Sequence, residues 1–439
     1  MRKPLRTLTA LLCAVALMIG CIGCGTKERE PNKTPTPKKE NEVTPTPTAE
    51  PEKKGGESRE LTTSSSSAVP MRSMDEKMKS AYETFAYNLF AQTASGETRM
   101  ISPFSVYVAF GMLAGGADGL TREEIDKVMG LTTEERNEYL ASWIESLVKA
   151  DPDDPEFTNA DSVWIRNGFE EYVEADFLKL CADYFRSAVF STAMDKGTID
   201  DVNAWVEENT KGMIKKVLEE LRPTTEMILV NAISLEAKWR DPFDSEDVEK
   251  NKDFTHEDGS VTKVDMMNGS ANSIYLHNDL CTGFIKGYKN DKFSYIALLP
   301  NEGVSVDTLV KSLKAGTIEG LIATAEGCEV KVSMPQYKQE YSLNLGEMMT
   351  AMGMESAFDP NTANFAKLAK KRLYVAEAIH KTFIDVDTEG TKAAAVTAII
   401  MDLAACAEPL PVRRIVLDRP FVYMIVDQNN LPIFIGTYE

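Results

Sequence analysis

The sequence predicts an α+β protein with mixed β-sheets, in which helices come early and strands late. Three observations carry this prediction: apolar residues recur at helical spacing before residue 210, short apolar runs bounded by Pro, Gly or Asn follow residue 227, and the composition is globular. Of the 439 residues, 43% are hydrophobic and 26% are charged, as in ordinary folded domains. Helices and strands that are segregated along the chain are typical of α+β folds.

The helical part begins at residues 73–76, Ser-Met-Asp-Glu, which have the form of a capping box. From Met78 to Leu89, apolar residues recur at the spacing of one buried helix face. Ser102-Pro103 opens a second helix, because Pro is tolerated in the first turn, and Gly115-Gly116 closes it. Further capping signals or helical patterns stand at residues 121–124, 132–135, 174–186 and 200–209.

The strand part begins near residue 227. Short apolar runs predict strands at residues 227–235, 293–299, 330–334, 421–426 and 433–438. The sequence Gln428-Asn429-Asn430 separates the last two runs, so these two strands are expected to form a hairpin.

The charge balance excludes several classes of function. The chain has 48 Lys and Arg against 68 Asp and Glu, a formal charge of −20. An anionic protein without a basic patch repels phosphate backbones, so we expect no nucleic-acid partner. No run of about 20 apolar residues is present, so no membrane-spanning helix is expected.

The first 20 residues are predicted to be an export signal. A basic start with Arg2 and Lys3 precedes an apolar stretch at 8–19 that is too short to span a membrane. The stretch ends in Met-Ile-Gly-Cys21, which resembles the cleavage box of bacterial lipoproteins, in which the Cys becomes the lipidated first residue. Cys21 is the predicted lipidation site and Cys24 the alternative; a plain secretory signal is the competing interpretation. We therefore expect an exported protein, either a cell-surface lipoprotein or an extracellular protein.

Residues 21–73 are predicted to be a disordered tether before a folded body at 74–439. They are rich in Pro, Thr, Lys, Glu and Ser and have little apolar surface to bury. The pairs Pro35/Pro37 and Pro45/Pro47 favour extended backbone. A low-complexity tail without a role is the alternative.

The folded body carries few candidates for catalysis or metal binding. Its four cysteines, Cys181, Cys281, Cys328 and Cys406, are spaced too widely for a metal knuckle and are too few for a disulfide framework, although bridges between them stay open. Motifs of serine hydrolases, phosphate-binding loops and zinc proteases are absent from the sequence, which has three His in all. We therefore expect neither an enzyme nor a bound metal or cofactor.

The most informative segment is the Ala-rich run at 391–407. Interpreted as a strand, it has one alternating set without charges, which includes Thr391 and Ala393 and could face a core throughout its length. Its two charged residues, Lys392 and Asp402, fall in the other set. Ala is also the best helix former, so from these residues alone a helix is the competing interpretation.

Four motifs, in order and with matching gaps, resemble those of the serpin family over nearly all of the folded body. They are a helix motif at 101–105 and 112–117, a strand motif at 231–239, a hinge at 389–391 with the alanines that follow, and C-terminal strand motifs at 418–421 and 431–436. The resemblance implies a serpin fold, with a large central sheet, surrounding helices and an exposed reactive loop, here at about 388–412.

The resemblance also implies a mechanism. In serpins the central sheet is metastable, because a strand position between its middle strands is unfilled, and the exposed loop is bait for a protease. After cleavage, the loop inserts as a new strand and carries the covalently attached protease across the molecule. Insertion demands small side chains where it begins, and the matching hinge residues here are Glu389, Gly390, Thr391, Ala393, Ala394 and Ala395.

The usual family spacing places the scissile bond between Ala404 and Ala405. A small residue before the cut suits an elastase-like or subtilisin-like serine protease. The loop is longer than in many relatives, so cleavage after Leu403 or after Cys406 is the alternative.

Four polar residues match the region through which the central sheet of serpins opens: Ser102, Ser105, Asn231 and His380. Buried hydroxyl, amide and imidazole groups need one another as hydrogen-bond partners. The resemblance therefore implies a network that is remade after insertion, and it makes His380 a core histidine and not a catalytic base.

The top of the sheet, the breach, both matches and departs from the family. Trp239 matches the family's conserved Trp, whereas Thr388 stands where a Glu is usual and Gln336 where its partner Lys is common. A neutral polar pair is therefore expected to replace an ion pair. Lys392 is expected to point outward and to leave insertion unaffected.

These observations favour the hypothesis of a surface-anchored, monomeric inhibitor of serine proteases that acts as a suicide substrate. Its expected partners are the target protease and, through the acylated Cys, membrane lipid. A non-inhibitory binding protein with the same fold is the alternative. A lipoprotein enzyme or solute-binding protein would need a polar constellation that this sequence does not offer.

Overall fold

The computed structural model describes residues 58–63, 68–93, 99–148, 154–272, 274–391 and 410–439. The helices of this part are α1 (Glu76–Ala91), α2 (Pro103–Gly116), α3 (Gly119–Met129), α4 (Thr133–Leu147), α5 (Ala175–Leu180), α6 (Lys196–Asn209), α7 (Val306–Ser312), α8 (Thr317–Ala323) and α9 (Leu345–Met352). Its strands are β1 (Arg59–Glu60), β2 (Met100–Ile101), β3 (Glu156–Arg166), β4 (Ala188–Thr192), β5 (Met227–Lys238), β6 (Val248–Thr255), β7 (Val261–Ser270), β8 (Ile274–His277), β9 (Cys281–Gly287), β10 (Phe293–Pro300), β11 (Glu326–Gly327), β12 (Glu329–Pro335), β13 (Tyr337–Asn344), β14 (Glu377–Val386), β15 (Gly390–Thr391), β16 (Val412–Val416), β17 (Phe421–Asp427) and β18 (Pro432–Tyr438).

The central sheet has the strand order β1-β4-β3-β5-β15-β14-β13. Strands β5 and β14 are parallel and pair directly along residues 228–233 and 377–382. Further along, the two-residue strand β15 lies between them and pairs with both. At one end of the sheet, β15 therefore occupies the position between β5 and β14. Beyond β15, β5 and β14 are hydrogen-bonded directly to each other.

Two other sheets complete the body and confirm the predicted α+β class with mixed sheets. One has the order β11-β8-β9-β10-β17-β18-β2, and the other has the order β16-β12-β7-β6. Strands β17 and β18 form the predicted antiparallel hairpin. All five predicted strands are present, with ends that differ from the prediction by up to three residues.

Helix α2 forms the centre of the core, where it packs against β5 of the central sheet and β18 of the second sheet. All of its residues except Gly115 are buried, because a helix that is apolar on every face must be covered on every face. Ser102 caps the helix, as predicted, and its hydroxyl accepts from the Ser105 N–H at 3.2 Å. The predicted end at Gly116 is also confirmed.

Two predicted helix starts are wrong by a few residues. Helix α1 is capped by Asp75, whose carboxylate accepts from the Met78 N–H at 2.9 Å, and not by the predicted box at residues 73–76. Helix α3 begins after Asp118, before the predicted cap at Thr121. Thr121 is buried inside that helix, and its hydroxyl accepts from the Asn364 N–H at 3.0 Å. The Thr121 side chain therefore makes a tertiary contact, which the local pattern did not reveal.

The folded part begins well before residue 74. Strand β1 pairs with β4 at the edge of the central sheet, and the Leu61 N–H donates to the Val189 carbonyl at 2.7 Å. Just before the strand, the Ser58 N–H donates to the Asp201 carboxylate on α6 at 3.0 Å. The prediction of a disordered tether up to residue 73 is therefore wrong for residues 58–62. Backbone pairing at an open sheet edge holds this mostly polar stretch, and its one apolar residue, Leu61, packs against the hydrophobic core.

The cysteines and the helix lengths of the described part of the chain bear on two further predictions. Cys181, Cys281 and Cys328 are buried with free thiols. None of the helices in the ranges given above is long and apolar enough to cross a membrane.

Candidate functional site

The beginning of the predicted reactive loop enters the central sheet. After β14 ends at Val386, the chain turns and returns as β15 between β14 and β5. Asp387 closes this turn, because its carboxylate accepts from the N–H groups of Glu389 at 2.8 Å and Gly390 at 3.1 Å. Thr391 pairs with Val386 on one side and with Ala237 on the other. The predicted hinge is therefore a strand where it is described, and it already occupies the end of the gap.

Gly390 is required where β15 meets β5. A Cβ atom added to Gly390 would lie 2.7 Å from the Cα of Lys238 and would collide with the carbonyl oxygen of Ala237. Because backbone atoms cannot yield as the end of a side chain can, any larger residue would push β15 away from its neighbour.

Trp239 donates two hydrogen bonds to the turn that precedes β15. Its backbone N–H donates to the Glu389 carbonyl at 2.8 Å, and its indole Nε1–H donates to the Asp387 carbonyl at 2.9 Å. The next contact is backbone to backbone, from the Phe243 N–H to the Thr388 carbonyl at 2.9 Å. Trp239 thus lies at the breach, as the resemblance implies.

The expected neutral pair between Thr388 and Gln336 is wrong. Within the described residues no hydrogen bond joins these two side chains, and Gln336 instead donates its backbone N–H to the Asp265 carbonyl at 2.8 Å. The breach is held by main-chain carbonyls of the turn and by the Trp239 indole.

A stack of aromatic side chains lies beneath the hinge and was not predicted. The Tyr288 ring stacks on that of Trp239, with centroids 4.4 Å apart and 9° between the planes. The hydroxyls of Tyr288 and Thr391 lie 2.6 Å apart, and Thr391 is only 1% exposed. Burial raises the pKa of Tyr288 well above its usual value. Thr391 therefore faces inward, as predicted from the alternating set.

Lys286 is a buried lysine of the same region that the sequence did not reveal. Its ammonium donates to the carbonyls of Asp241 at 2.6 Å and Ser270 at 2.9 Å, and it lies 4.4 Å from the centroid of the Phe243 ring. Burial lowers its pKa to about 8. Carbonyl dipoles and the face of an aromatic ring can hold a cation at a buried position.

The four predicted residues of the opening network are brought together, where β5 and β14 pair directly. The Ser102 N–H donates to Nε2 of His380 at 3.0 Å, so Nδ1 carries the ring proton and donates to Oδ1 of Asn231. The Asn231 amide in turn donates to the Ser105 hydroxyl. Since His380 is fully buried, its pKa falls to about 3 and the ring is neutral. Both of its nitrogens are engaged, which leaves no free base for catalysis.

Asp161 on β3 extends this network and was not predicted. Its Oδ1 accepts from the Asn231 amide at 2.5 Å, and its Oδ2 accepts from the Asn159 amide at 2.5 Å. Asp161 is 2% exposed, and burial raises its pKa to about 7. Polar residues on strands usually face solvent, so nothing in the local pattern distinguishes this one.

Several predicted residues lie outside the described part of the chain. They are Cys21, Cys24, Lys392, Ala393, Ala394, Ala395, Leu403, Ala404, Ala405 and Cys406. Within the described part, no group of three or more His, Cys, Asp or Glu side chains is placed to hold a metal ion.

A family model described as "Serpin (serine protease inhibitor)" matches residues 80–439. The chain belongs to the serpin family. The match covers both the hinge in the central sheet and the network below it, so the predicted serpin fold is confirmed. Members of this family are generally inhibitors of proteases rather than enzymes.

Known serpins match most of this chain in sequence and in structure. A serpin-like protein of Thermococcus kodakarensis is 26% identical over 81% of this chain and 84% of its own length, and human neuroserpin is 27% identical over 78% and 86%. The native-state crystal structure of tengpin, a thermophilic serpin, superimposes with a TM-score of 0.79, at 34% identity over 87% of this chain and 99% of its own. Human thyroxine-binding globulin, in complex with its hormone, superimposes with a TM-score of 0.74 at 25% identity, over 82% of this chain and 97% of its own.

Proposed function

We propose that this serpin inhibits elastase-like or subtilisin-like serine proteases as a suicide substrate. The observation that carries the proposal is β15, which lies between β5 and β14 and pairs with both. The chain that follows Thr391 thus starts in line with the gap that a complete inserted strand would fill.

The proposed mechanism uses the protease's own chemistry. The protease serine attacks the scissile carbonyl, the new amino terminus leaves, and the serine remains esterified to the loop. The loop then extends β15 along the line between β5 and β14, which breaks their direct pairing at 228–233 and 377–382. Insertion must outrun hydrolysis of the ester, since otherwise the serpin is cleaved as a substrate.

The proposed scissile bond is Ala404–Ala405, with cleavage after Leu403 or after Cys406 as the alternative. Ala404 lies fourteen positions after Gly390, and the thirteen residues 391–403 stand between them. Fully extended, this stretch reaches roughly 45–50 Å, enough to run the whole length of β14 and beyond.

The second candidate is a non-inhibitory serpin that binds a ligand. It is favoured by the similarity to thyroxine-binding globulin, whose structure was determined with its hormone bound. The two candidates differ in whether the cleaved loop traps the protease.

A gel experiment distinguishes the two candidates. Residues 58–439 are incubated separately with pancreatic elastase and with subtilisin, and the products are separated under denaturing conditions. Inhibition predicts a covalent band near the summed masses and a released peptide that begins at Ala405. Clean cleavage of the loop without such a band would leave the binding protein as the remaining candidate.

The nicked protein supplies an independent test of stored strain. Inserting a strand into the central sheet adds backbone hydrogen bonds and buries side chains, so we expect the melting temperature to rise by tens of degrees after cleavage near residue 404. A melting temperature that is unchanged by cleavage would contradict the insertion mechanism.

We further propose that the chain is exported and anchored through an acylated Cys21, with Cys24 as the alternative. The support is the basic start, the short apolar stretch and the Met-Ile-Gly-Cys21 ending. Two acyl chains are about what stable anchoring needs. Expression of the full chain in a bacterial host, followed by mass spectrometry of the mature N-terminal peptide, tests this. A lipid on Cys21 is expected, and it should be lost in Cys21→Ser but kept in Cys24→Ser.

A further inference from the structure

The network between β3, β5 and β14 contains a carboxyl group without a cationic partner. Asp161 accepts hydrogen bonds from the amides of Asn231 and Asn159, both at 2.5 Å. Its neighbours from other elements are neutral: the Ser105 hydroxyl of α2 contacts Asn231, and the His380 imidazole of β14 contacts the same amide. No charged side chain of the described residues adds an electrostatic contribution at Asp161. When Asp161 is ionised, it is thus the one charged group of this network.

Each hydrogen bond of the chain fixes the direction of the next. Because Ser102 donates to Nε2 of His380, the ring must donate from Nδ1 to Oδ1 of Asn231. The Asn231 amide then has only its Nδ2 donors left for Asp161 and Ser105. The Asp161 carboxylate, which can only accept when ionised, therefore orients the amide that holds β14 to β5.

A neutral Asp161 also has a place for its proton. Oδ1 of Asn159 is buried and has no hydrogen-bond partner, while Nδ2 of the same amide donates to Asp161. A half-turn of the Asn159 amide exchanges these two atoms, so a protonated Asp161 can donate to the oxygen. Both protonation states can therefore be satisfied within the closed sheet, although the ionised state pays for desolvation.

We propose that Asp161 is a positioning residue of the opening network, and that exchange of its carboxyl proton with solvent makes the separation of β5 from β14 depend on pH. Separation breaks the bond between His380 and Asn231, whose strands are direct neighbours, and admits water to the Asp161 site. Ionised Asp161 gains more from water than the neutral acid does, so the sheet opens more readily as the pH rises. In the closed sheet burial holds the pKa of Asp161 at about 7, which sets the range in which the change occurs.

This inference rests on the proposed function only for its biological meaning, namely that opening precedes insertion. The experiment is therefore done without protease, on residues 58–439. Amide hydrogen exchange of residues 228–233 and 377–382 is measured from pH 6 to pH 8 and corrected for the intrinsic pH dependence of exchange. For the native protein we expect the opening equilibrium to increase about tenfold over this range, since one proton is released on opening.

Three variants decide the outcome. Asp161→Asn keeps the shape but does not titrate, so its corrected profile should be flat. Asn159→Ala removes the partner of Asp161 in both protonation states, but the charged carboxylate loses the stronger hydrogen bond, so its profile should shift to higher pH. Asp253→Asn, at an exposed carboxyl on β6, should leave the native profile unchanged.

The same pH dependence in native protein and Asp161→Asn would overturn the inference. If Asp161→Asn does not fold, an unshifted profile in Asn159→Ala would overturn it alone. Failure of the proposed function is separate: a protein that opens with the expected pH dependence but traps no protease would support this inference and contradict inhibition.

Discussion

The side-chain hydroxyls of Tyr288 and Thr391 lie 2.6 Å apart beneath the breach, and both residues are buried. This bond ties the start of the reactive loop to the second sheet through a ring that itself stacks on Trp239. The loop is thus held by a side-chain contact as well as by its two strand neighbours.

Tyr288→Phe should loosen the hinge. It removes the hydroxyl that pairs with Thr391, and an unpaired buried hydroxyl costs about 1–3 kcal/mol. We expect a melting temperature lower by several degrees, measured by circular dichroism. Tyr184→Phe, in the π-helical turn that follows α5, is the control. An equal decrease of the melting temperature in both variants would show that the hydrogen bond between Tyr288 and Thr391 adds no stability of its own.

Gly390→Ala should expel β15 from the sheet, since the new Cβ would meet the backbone of Ala237 and Lys238. The Trp239 N–H, which donates to the Glu389 carbonyl, should then lose protection in amide exchange, by tenfold or more. Gly327→Ala is a matched control, because nothing lies within 4 Å of a Cβ added there. Protection of Trp239 that survives Gly390→Ala would contradict the described pairing of β15.

Thr391→Arg should turn the inhibitor into a substrate. Thr391 is buried between β5 and β14, and an unpaired charge there is costly, so insertion slows relative to hydrolysis of the ester. On the denaturing gel the covalent band should weaken at least tenfold while the cleaved product accumulates. Thr391→Ser, which keeps the hydroxyl, should trap normally. Undiminished trapping by Thr391→Arg would rule out insertion along this line.

Glu83→Gln should stabilise the protein at alkaline pH. Glu83 is 3% exposed on α1, and burial, with a contribution from the neighbouring Glu319, raises the pKa of Glu83 to about 7. Stability that depends on protonated Glu83 is complete below pH 4.5 and is lost as the pH rises through 7. The variant should therefore melt like the native protein at pH 5.

At pH 8.5 the same variant should be more stable, by at most about 3 kcal/mol, since one pKa unit is worth about 1.4 kcal/mol. Thermal melts at the two pH values measure the difference. Glu76→Gln, at a 92% exposed carboxyl on the same helix, should show no such pH dependence. A gain for Glu83→Gln that is equal at pH 5 and pH 8.5 would contradict the titration of Glu83.

The fold and the neutral part of the site could be predicted because their signals are local or are shared with a family. The hairpin of β17 and β18 follows from a polar turn between apolar runs, and Ser102, Ser105, Asn231 and His380 were found through the motifs around them. The hinge at Gly390 and Thr391 was found in the same way. The features that could be predicted were thus those marked by residues close together in the sequence or by motifs in a fixed order along the chain.

The buried charges could not be predicted, because charged residues on strands usually face solvent. Asp161 and Lys286 are buried only through contacts from distant parts of the chain, with Asn231 for the first and the carbonyls of Asp241 and Ser270 for the second. The same reason applies to β1, where backbone pairing with β4 holds a stretch that has the composition of a linker.

Strand β1 also sets the length of the tether that would connect an acylated Cys21 to the folded body. The stretch from Cys21 to Ser58 is 37 residues, against 52 up to residue 73. Its greatest possible span is therefore about 130 Å rather than about 185 Å. With the proposed anchor at Cys21, docking of β1 against β4 would shorten the reach of the folded body from the membrane by about 55 Å.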